Sequence, residues 1–99
     1  MRGQPYRLQV RNAARRAARR LAPRVQEILP DHYTRILNEP HSGEQLGGPL
    51  RPYRSDHFRH EGAEYRIAYE ILEEEELVVI YHVGTRAHFY EELGRRLRL

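Results

Sequence analysis

The chain has 99 residues, with 17 basic against 14 acidic side chains and a formal net charge of +3 at pH 7, and this length predicts one domain spanning residues 1–99. It contains no cysteine, which excludes disulfides, zinc–thiolate sites and a thiol nucleophile. The longest apolar run, residues 77–83, is too short to cross a membrane, and the N-terminus lacks the apolar segment of a secretory signal, so we expect a soluble cytoplasmic protein.

The N-terminal part of the chain predicts a strand and then a helix. Residues 5–10 alternate loosely between apolar and polar side chains, which indicates a strand with one buried face. Asn12 is a suitable N-cap for a helix over residues 13–21, where small or apolar side chains recur at a helical spacing. The opposite face of this helix carries four arginines: Arg15, Arg16, Arg19 and Arg20. They would present positive charge to a polyanion such as RNA.

A second helix is predicted to follow. Pro23 fits its first turn, and the pair Glu39-Pro40 ends it. Pro30 lies in its middle, where proline removes a hydrogen bond and clashes with the preceding turn. We therefore expect a kink at Pro30, or a break with a restart at Asp31.

The next part of the chain predicts a loop, a short strand and a turn. Residues 41–49 are rich in Gly and Ser and read as the loop. Pro49 and Pro52 limit the following extended stretch to a sheet edge or an irregular entry. Phe58 opens the short strand, and residues 61–64 make the turn.

A central hairpin and a final helix complete the predicted elements. The hairpin pairs residues 65–72 with residues 77–83 around an acidic loop. Residues 87–97 predict a helix with its apolar side chains on one side. The core candidates in all these elements are Leu8, Val10, Leu21, Ile28, Leu37, Ile67, Tyr69, Ile71, Val79 and Tyr81.

Two segments carry a family resemblance. The segment YRIAY (residues 65–69) follows a glycine-containing turn, and VGTR (residues 83–86) is followed four positions later by Tyr90. With the element order β-α-α-β-β-β, the chain resembles the RelE/ParE superfamily of toxins from bacterial toxin–antitoxin pairs. The resemblance implies an α+β fold in which a curved, mostly antiparallel sheet packs against a helical hairpin, with a helix at the C-terminus.

The resemblance implies one of two activities, because the superfamily contains both ribonucleases and inhibitors of DNA gyrase. Members that cleave messenger RNA in the ribosomal A site use arginines similar to Arg66 and Arg86, and a tyrosine or histidine near Tyr90 or His88. The chain retains all of these residue types. This favours a ribosome-dependent, metal-free endoribonuclease. The alternatives are a ParE-like gyrase inhibitor without nuclease chemistry and a member that only binds its antitoxin.

Cleavage of RNA without a metal sets three chemical demands. The 2′-hydroxyl must lose its proton, the charge of the phosphorane must be stabilised, and the 5′-oxygen must gain a proton. Arg66 and Arg86 would hold the phosphate through charge-assisted hydrogen bonds. Tyr90 would act as base if nearby arginines stabilised its phenolate, whereas His88 or His82 would need less change because imidazole titrates near pH 6.5. The sequence does not choose among the three.

Further side chains are predicted to contact RNA. They are Arg54, Arg59, His60 and His82, together with the four arginines of the first helix. Side chains alternate along a strand, so Arg66 and His82 could lie on the same open face, although the register of the hairpin is not fixed by the sequence.

Each candidate also has a structural interpretation. Arg66 could pair with Glu64 or Glu70 inside the sheet. Arg86 could only add charge before the last helix, and Tyr90 could belong to the core. The six histidines show no spacing typical of a metal site, so we expect neither a metal nor another cofactor.

The resemblance also implies partners. A small, acidic antitoxin is expected to bind the basic toxin, to cover part of its site and to disturb the last helix. The ribosome and messenger RNA are the other expected partners.

Overall fold

Residues 5–99 form a five-stranded sheet with three α-helices in the computed structural model, which describes these residues. The elements in chain order are β1 (Arg7–Val10), α1 (Asn12–Arg19), α2 (Pro23–Asn38), β2 (Glu44–Gln45), β3 (Arg54–His60), β4 (Ala63–Leu72), β5 (Leu77–Thr85) and α3 (Phe89–Leu97). Two short 3₁₀ turns, Pro40–Ser42 and Gly48–Leu50, flank β2. The predicted α+β class is confirmed. Within residues 5–99, none of the helices combines the length and apolarity that a membrane crossing requires.

The strands follow the order β1-β5-β4-β3-β2 across the sheet. β1 runs parallel to β5, and every other pair is antiparallel. The predicted hairpin of β4 and β5 is confirmed. Because β1 pairs with β5 only as far as Val10↔Ile80, the last residues of β5 have no strand on that side within residues 5–99.

A β-bulge in β5 decides which of its side chains face each layer. The residues of β4 pair without a gap, whereas β5 skips Tyr81 between Ile80 and His82. Ile80 before the bulge and Val83 after it both pack with residues of α1 and α2. The alternation is therefore reversed by one residue, and His82 lies on the opposite side of the sheet, against α3.

Hydrophobic clusters on both faces of the sheet hold the helices. On one face, Ala14 of α1 and Val25 and Leu29 of α2 pack against the central strands. A helix of eight residues is not stable alone, so α1 depends on this contact, and its small alanines let it approach the sheet closely. On the other face, Phe89 and Leu93 attach α3.

Most of the core candidates lie in or beside these clusters. Ile67, Tyr69 and Val79 are buried. Six more are partly buried and pack against the clusters: Val10, Leu21, Ile28, Leu37, Ile71 and Tyr81. Leu8 is the wrong prediction, because it is 39 % exposed on the short edge strand β1.

The predicted helices need two corrections. Asn12 is the first residue of α1, not its N-cap; Arg11 holds that position without a side-chain hydrogen bond, and the helix ends at Arg19. The break at Pro30 is also wrong, since α2 runs from Pro23 to Asn38. Pro30 is exposed, so water can replace the missing hydrogen bond on that side of the helix. A kink at Pro30 stays a prediction.

The predicted ends of the last elements also shift. β3 starts at Arg54, so Phe58 lies within the strand instead of opening it. The turn before β4 has only two residues, Glu61 and Gly62, both at positive φ as a tight hairpin requires. The last helix starts at Phe89 because His88 adopts the left-handed conformation.

Gly43 supplies a first test of the packing. A Cβ added there would overlap the hydroxyl oxygen of Tyr69, whose ring is fully buried and whose hydroxyl donates to Pro40 O at 2.6 Å. We expect Gly43→Ala to lower the free energy of unfolding by about 1–3 kcal/mol, the usual effect of overpacking. Urea denaturation measures it. Gly47→Ala is the control, because its Cβ would meet nothing within 4 Å, and equal stability of the two variants would contradict the prediction.

Candidate functional site

Charged and aromatic side chains gather where β4 and β5 meet the start of α3. Arg66 pairs with Gly84 of β5 on one side and with His57 of β3 on the other. Side chains of paired residues point to the same face, so His57 and Arg66 both lie on the face that α3 covers in part. The register therefore places Arg66 at the centre of this cluster.

Two partners hold the guanidinium of Arg66. Its Nε donates to Glu64 Oε2 at 3.0 Å, its Nη2 lies 2.8 Å from the same oxygen in an ion pair, and its Nη1 donates to Tyr90 Oη at 2.5 Å. The two hydrogen bonds use two of the five N–H donors of a guanidinium and leave three, two of them on the Nη2 that lies beside Glu64. The side chain is only 18 % exposed, so the guanidinium is fixed in position before any ligand arrives.

The charge of Arg66 is secure despite this burial. Burial lowers its pKa, but the phenol of Tyr90 and the carboxylate of Glu64 outweigh that effect and leave the pKa above its ordinary value. The contact between Arg66 and Glu64 that the structural interpretation expects is therefore present. Tyr90 is not a core residue, since it is 37 % exposed.

Arg86 lies beside this pair with a free guanidinium. Its backbone N–H donates to Glu64 O at 3.0 Å, which brings the chain after β5 next to β4. The side chain is exposed, and no hydrogen bond or ion pair engages it among residues 5–99. Arg86 is therefore available to an anion without first breaking another contact.

His88 marks the turn from β5 into α3. Its φ of 60° is left-handed, a conformation that few residues other than glycine adopt. The side chain is 76 % exposed, and its Nδ1 lies 2.9 Å from Glu91 Oε1. His88 stands two positions before Tyr90, at the solvent side of the cluster.

His82 is buried, so the expectation of an open face is wrong. Arg66 and His82 share a face, but α3 covers it at His82, which is 2 % exposed. Its Nε2 lies 3.0 Å from Glu92 Oε1, and its Nδ1 has no partner within residues 5–99. Its ring is 5.0 Å from that of Phe89. His82 thus fastens α3 to β5, and its contact with RNA stays a prediction.

This burial predicts a pH dependence of stability. Burial lowers the pKa of His82, although Glu92 opposes the effect. The unfolded chain then binds a proton more readily than the folded chain, so stability is lost as the pH falls through about 6.5. We expect His82→Gln to lose less stability than the parent between about pH 7.5 and pH 5.5 in urea denaturation.

The pH effect needs a matched control. Burial also lowers the pKa of His32, so His82→Gln should reduce the pH dependence without removing it. The exposed His88→Gln is the control and should keep the parent's slope. An unchanged slope in His82→Gln would contradict the prediction.

The β3 residues expected to contact RNA separate into two groups. Arg59 is 68 % exposed, and its Nη1 lies 3.9 Å from Glu64 Oε1, so it belongs to the cluster around Arg66. His60, at the end of the same strand, is 23 % exposed and lies 3.7 Å from Glu61. Its Nε2 is buried and has no hydrogen-bond partner within the described residues.

Arg54 lies apart from this cluster. Its Nη1 donates to the carbonyl oxygens of His41 and Gly43 at 3.1 and 2.8 Å, and it pairs with Tyr69, three pairs away from Arg66. Arg54 therefore ties down the loop before β2. Contact of Arg54 with RNA stays a prediction.

The arginines at α1 are the other residues predicted to contact RNA. All four, Arg15, Arg16, Arg19 and Arg20, are exposed. Arg15 Nε donates to Val10 O at 3.3 Å. Arg20 lines a groove of about 240 Å³ between α1 and α3, together with Thr85 and Glu92. The α1 face thus adjoins the end of β5.

The sequence does not predict two residues that belong to the cluster around Arg66. Glu64 was assigned to a turn, yet its spacing of two from Arg66 would place both on one face once β4 is seen to start at Ala63. His57 faces Arg66 only through the pairing of β3 with β4. No local signal in the sequence marks it.

Comparisons with known proteins agree with this fold. A family model for the ParE-like toxin of type II bacterial toxin–antitoxin systems matches residues 8–94. In the crystal structure of the toxin–antitoxin complex RelBE2 from Mycobacterium tuberculosis, one chain is 30 % identical, with 83 % of this chain and 99 % of that chain covered and a TM-score of 0.70. No curated protein matches the sequence significantly.

Two Escherichia coli structures are also similar. A chain of the intact RelBE toxin–antitoxin complex is 26 % identical over 80 % of this chain and 94 % of that chain, with a TM-score of 0.65. A mutant of toxin RelE in the free state is 24 % identical over 94 % of this chain and 98 % of that chain, with a TM-score of 0.72, and shows the fold alone. Because the family model covers most of the chain, the protein belongs to the ParE-like toxins of type II bacterial toxin–antitoxin systems.

Proposed function

We propose that this toxin is a ribosome-dependent endoribonuclease that cleaves messenger RNA without a metal. The observation that carries the proposal is the position of Arg66, whose guanidinium Glu64 holds beside the hydroxyl of Tyr90 while three of its N–H donors make no hydrogen bond within residues 5–99. A cation held in place before the reaction stabilises a transition-state charge without the cost of reorganisation.

The two arginines have different parts in this mechanism. Arg66 is preorganised and would hold one non-bridging oxygen of the scissile phosphate. Arg86, which has no partner among residues 5–99, would close on the phosphate from the end of β5. The 2′-oxygen attacks phosphorus, and the added negative charge of the phosphorane is shared between two guanidinium groups.

Tyr90 is the group that we assign to proton transfer. Its hydroxyl oxygen accepts a hydrogen bond from Arg66 Nη1, so the charge left on it after loss of the proton would lie against a cation. The phenolate would take the proton of the 2′-hydroxyl. The bond from phosphorus to the 5′-oxygen then breaks, and that oxygen gains a proton, which leaves a 2′,3′-cyclic phosphate and a 5′-hydroxyl. His88 or His57 would supply this second proton.

The alternative function is inhibition of DNA gyrase by a ParE-like protein without nuclease chemistry. The ion pair of Arg66 with Glu64 favours it, because the carboxylate neutralises part of the charge that a phosphate would otherwise meet. In that case Arg66 would be a structural residue of β4, and the cluster would serve only as a protein-binding surface.

One experiment separates the two functions. Purified toxin is added to an in vitro translation reaction, cut sites in the messenger RNA are mapped by primer extension, and a gyrase supercoiling assay is run in parallel. The proposal expects cuts only in ribosome-bound message and normal supercoiling. Intact message with blocked supercoiling would make the protein a gyrase inhibitor.

An acidic antitoxin is the proposed partner, and α3 is the proposed element that it disturbs. The nine residues of α3 depend on Phe89, Leu93 and the contact between Glu92 and His82 for their attachment. The site adjoins this helix through Tyr90. Displacing α3 would therefore move Tyr90 away from Arg66 and switch off both binding and chemistry.

A further inference from the structure

Two connected cavities lie at the other end of α3, near the start of α1. One, of about 310 Å³, is lined by Arg11, Asn12, Ala13, Arg16, Tyr81 and Arg96. The other, of about 390 Å³, is lined by Arg11, Tyr53, Tyr81, Arg96, Leu97 and Arg98. They share three lining residues, and neither lining contains an acidic side chain. Together they form the α1–α3 pocket.

None of the arginines of this pocket forms an ion pair within residues 5–99. Among residues 5–99, no hydrogen bond or ion pair engages the guanidinium of Arg16 or of Arg96. The Nε of Arg96 is buried without an acceptor. A buried donor without an acceptor is unfavourable. Because Arg96 makes no hydrogen bond or ion pair within residues 5–99, an anion can bind its guanidinium without breaking one. Arg11 lies over the ring of Tyr81 at 5.3 Å from its centroid, which keeps a third positive charge at the wall.

The first turn of α1 adds to the positive potential of the arginines. Asn12 and Ala13 begin this helix, Arg11 caps it without a side-chain hydrogen bond, and its first turn contains no acid. The first N–H groups of a helix lack intrahelical partners and favour negative charge. Asn12 and Ala13 line the same cavity as Arg16 and Arg96, so the start of the helix adds to the positive potential there, and the pocket suits a group with several anionic oxygens.

Tyrosine rings form the remaining wall. The rings of Tyr53 and Tyr81 meet edge to face, with centroids 5.2 Å apart. Tyr81 Oη donates to Glu70 Oε1 at 2.9 Å, and burial together with Glu70 raises the pKa of Tyr81 to about 12, so this donor persists at neutral pH. Proteins that bind single-stranded nucleic acids combine aromatic rings with arginines. The bases stack on the rings, and the phosphates pair with the positive side chains.

We propose that the α1–α3 pocket binds one nucleotide of single-stranded RNA, with its phosphate against Arg16 and Arg96 and its base against Tyr53. Arg96 follows Tyr90 by six positions, about 9 Å along the axis of α3, so the pocket and the site around Tyr90 lie at the two ends of one short helix. The inference deepens the proposed ribonuclease and rests on it for the choice of RNA as ligand. An acidic peptide would use the arginines but would leave the aromatic wall unused.

The test measures RNA binding apart from cleavage. A short fluorescein-labelled single-stranded RNA is titrated with the full chain carrying Arg86→Ala, and binding is followed by fluorescence anisotropy over a salt series. Adding Arg96→Gln or Arg16→Gln should weaken binding about tenfold or more and reduce the slope of log K against log salt by about 0.7 for the lost phosphate contact. Tyr53→Ala should weaken binding without changing that slope.

Arg24→Gln is the matched control for the loss of one positive charge. Arg24 is 77 % exposed on α2 and meets only Glu27 at 4.0 Å, so its variant should bind RNA like the parent. Arg16 is exposed, which makes Arg16→Gln the variant to rely on if Arg96→Gln unfolds by circular dichroism.

Two results would overturn the inference. The first is RNA affinity in the Arg16, Arg96 and Tyr53 variants equal to that of Arg24→Gln. The second is a glutamate-rich peptide that loses affinity in these variants while RNA does not, which would make the pocket a docking site for an acidic protein. Failure of the proposed function looks different: no message is cut during translation, yet the pocket variants still weaken RNA binding.

Discussion

Arg86→Ala is expected to slow cleavage of ribosome-bound messenger RNA by about 10²- to 10³-fold, the range found when one hydrogen-bond donor to the transition state is removed. The side chain of Arg86 is exposed and makes no hydrogen bond or ion pair within residues 5–99. Its loss should therefore leave the stability of the fold unchanged. A lower cleavage rate can then be assigned to lost contact with the phosphate. Primer extension over a time course in the translation reaction measures it.

Two variants separate the contribution of the guanidinium fork of Arg86 from that of its positive charge. Arg86→Lys should recover only a small part of the rate, because an ammonium lacks the planar fork that binds two phosphate oxygens. Arg24→Ala removes an equal charge from the exposed surface of α2 and should cleave at the parent rate. A full rescue by lysine, or an equal loss in Arg24→Ala, would show that Arg86 contributes only to the general positive potential.

Much of the fold could be predicted because its signals are local. The two strands of the hairpin are rich in β-branched and aromatic residues, and the acidic loop between them is short, so their pairing followed from the sequence. The helical spacing of the alanines in α1 gave its buried side. The ends of the strands were harder to predict than the strands themselves. The sequence predicts that β3 begins at Phe58, but β3 begins four residues earlier, at Arg54, because pairing with β4 outweighs the weak strand preference of residues 54–57.

The faces of the sheet were harder to predict because the bulge at Tyr81 is not a local signal. A β-bulge reverses the alternation, and only the pairing of β4 with β5 reveals it. Ile80 and Val83 therefore share a face although their spacing is odd. His82 lies on the predicted face with Arg66, but α3 covers that face at His82, and no local signal in the sequence specifies where α3 packs.

The candidate site was predicted in part. The residues around Arg66 come from β4 and the start of α3, segments that the motifs YRIAY and VGTR mark directly. The contact of Arg66 with Glu64 was foreseen as a structural alternative, and the contact with Tyr90 as a functional one; the structure contains both. Arg54 shows the limit, because its carbonyl partners belong to a loop whose path the sequence does not specify.

Tyr90→Phe is expected to reduce cleavage by about 10²-fold or more, in the range that loss of a general acid or base produces. The substitution removes only the hydroxyl. The ring can keep its edge-to-face contact with Phe89, at 5.3 Å between centroids, and its position near the guanidinium of Arg66 at 5.5 Å. Packing is therefore preserved, and the lost rate reports on the proton that the hydroxyl transfers.

The variants of His57 and His88 complete this test. If Tyr90 takes the proton of the 2′-hydroxyl, Tyr90→Phe should remove the rise of the rate on the acidic side of the pH–rate profile, because a base acts only after it has lost its proton. His88→Ala or His57→Ala should remove the fall on the alkaline side, because the group that protonates the 5′-oxygen must still carry its proton. His88 is the more exposed candidate, at 76 %, and His57 is the one that pairs with Arg66. Cleavage at the parent rate in Tyr90→Phe, together with a profile that His88→Ala flattens on both sides, would transfer the role of base to His88 and make our assignment of Tyr90 wrong.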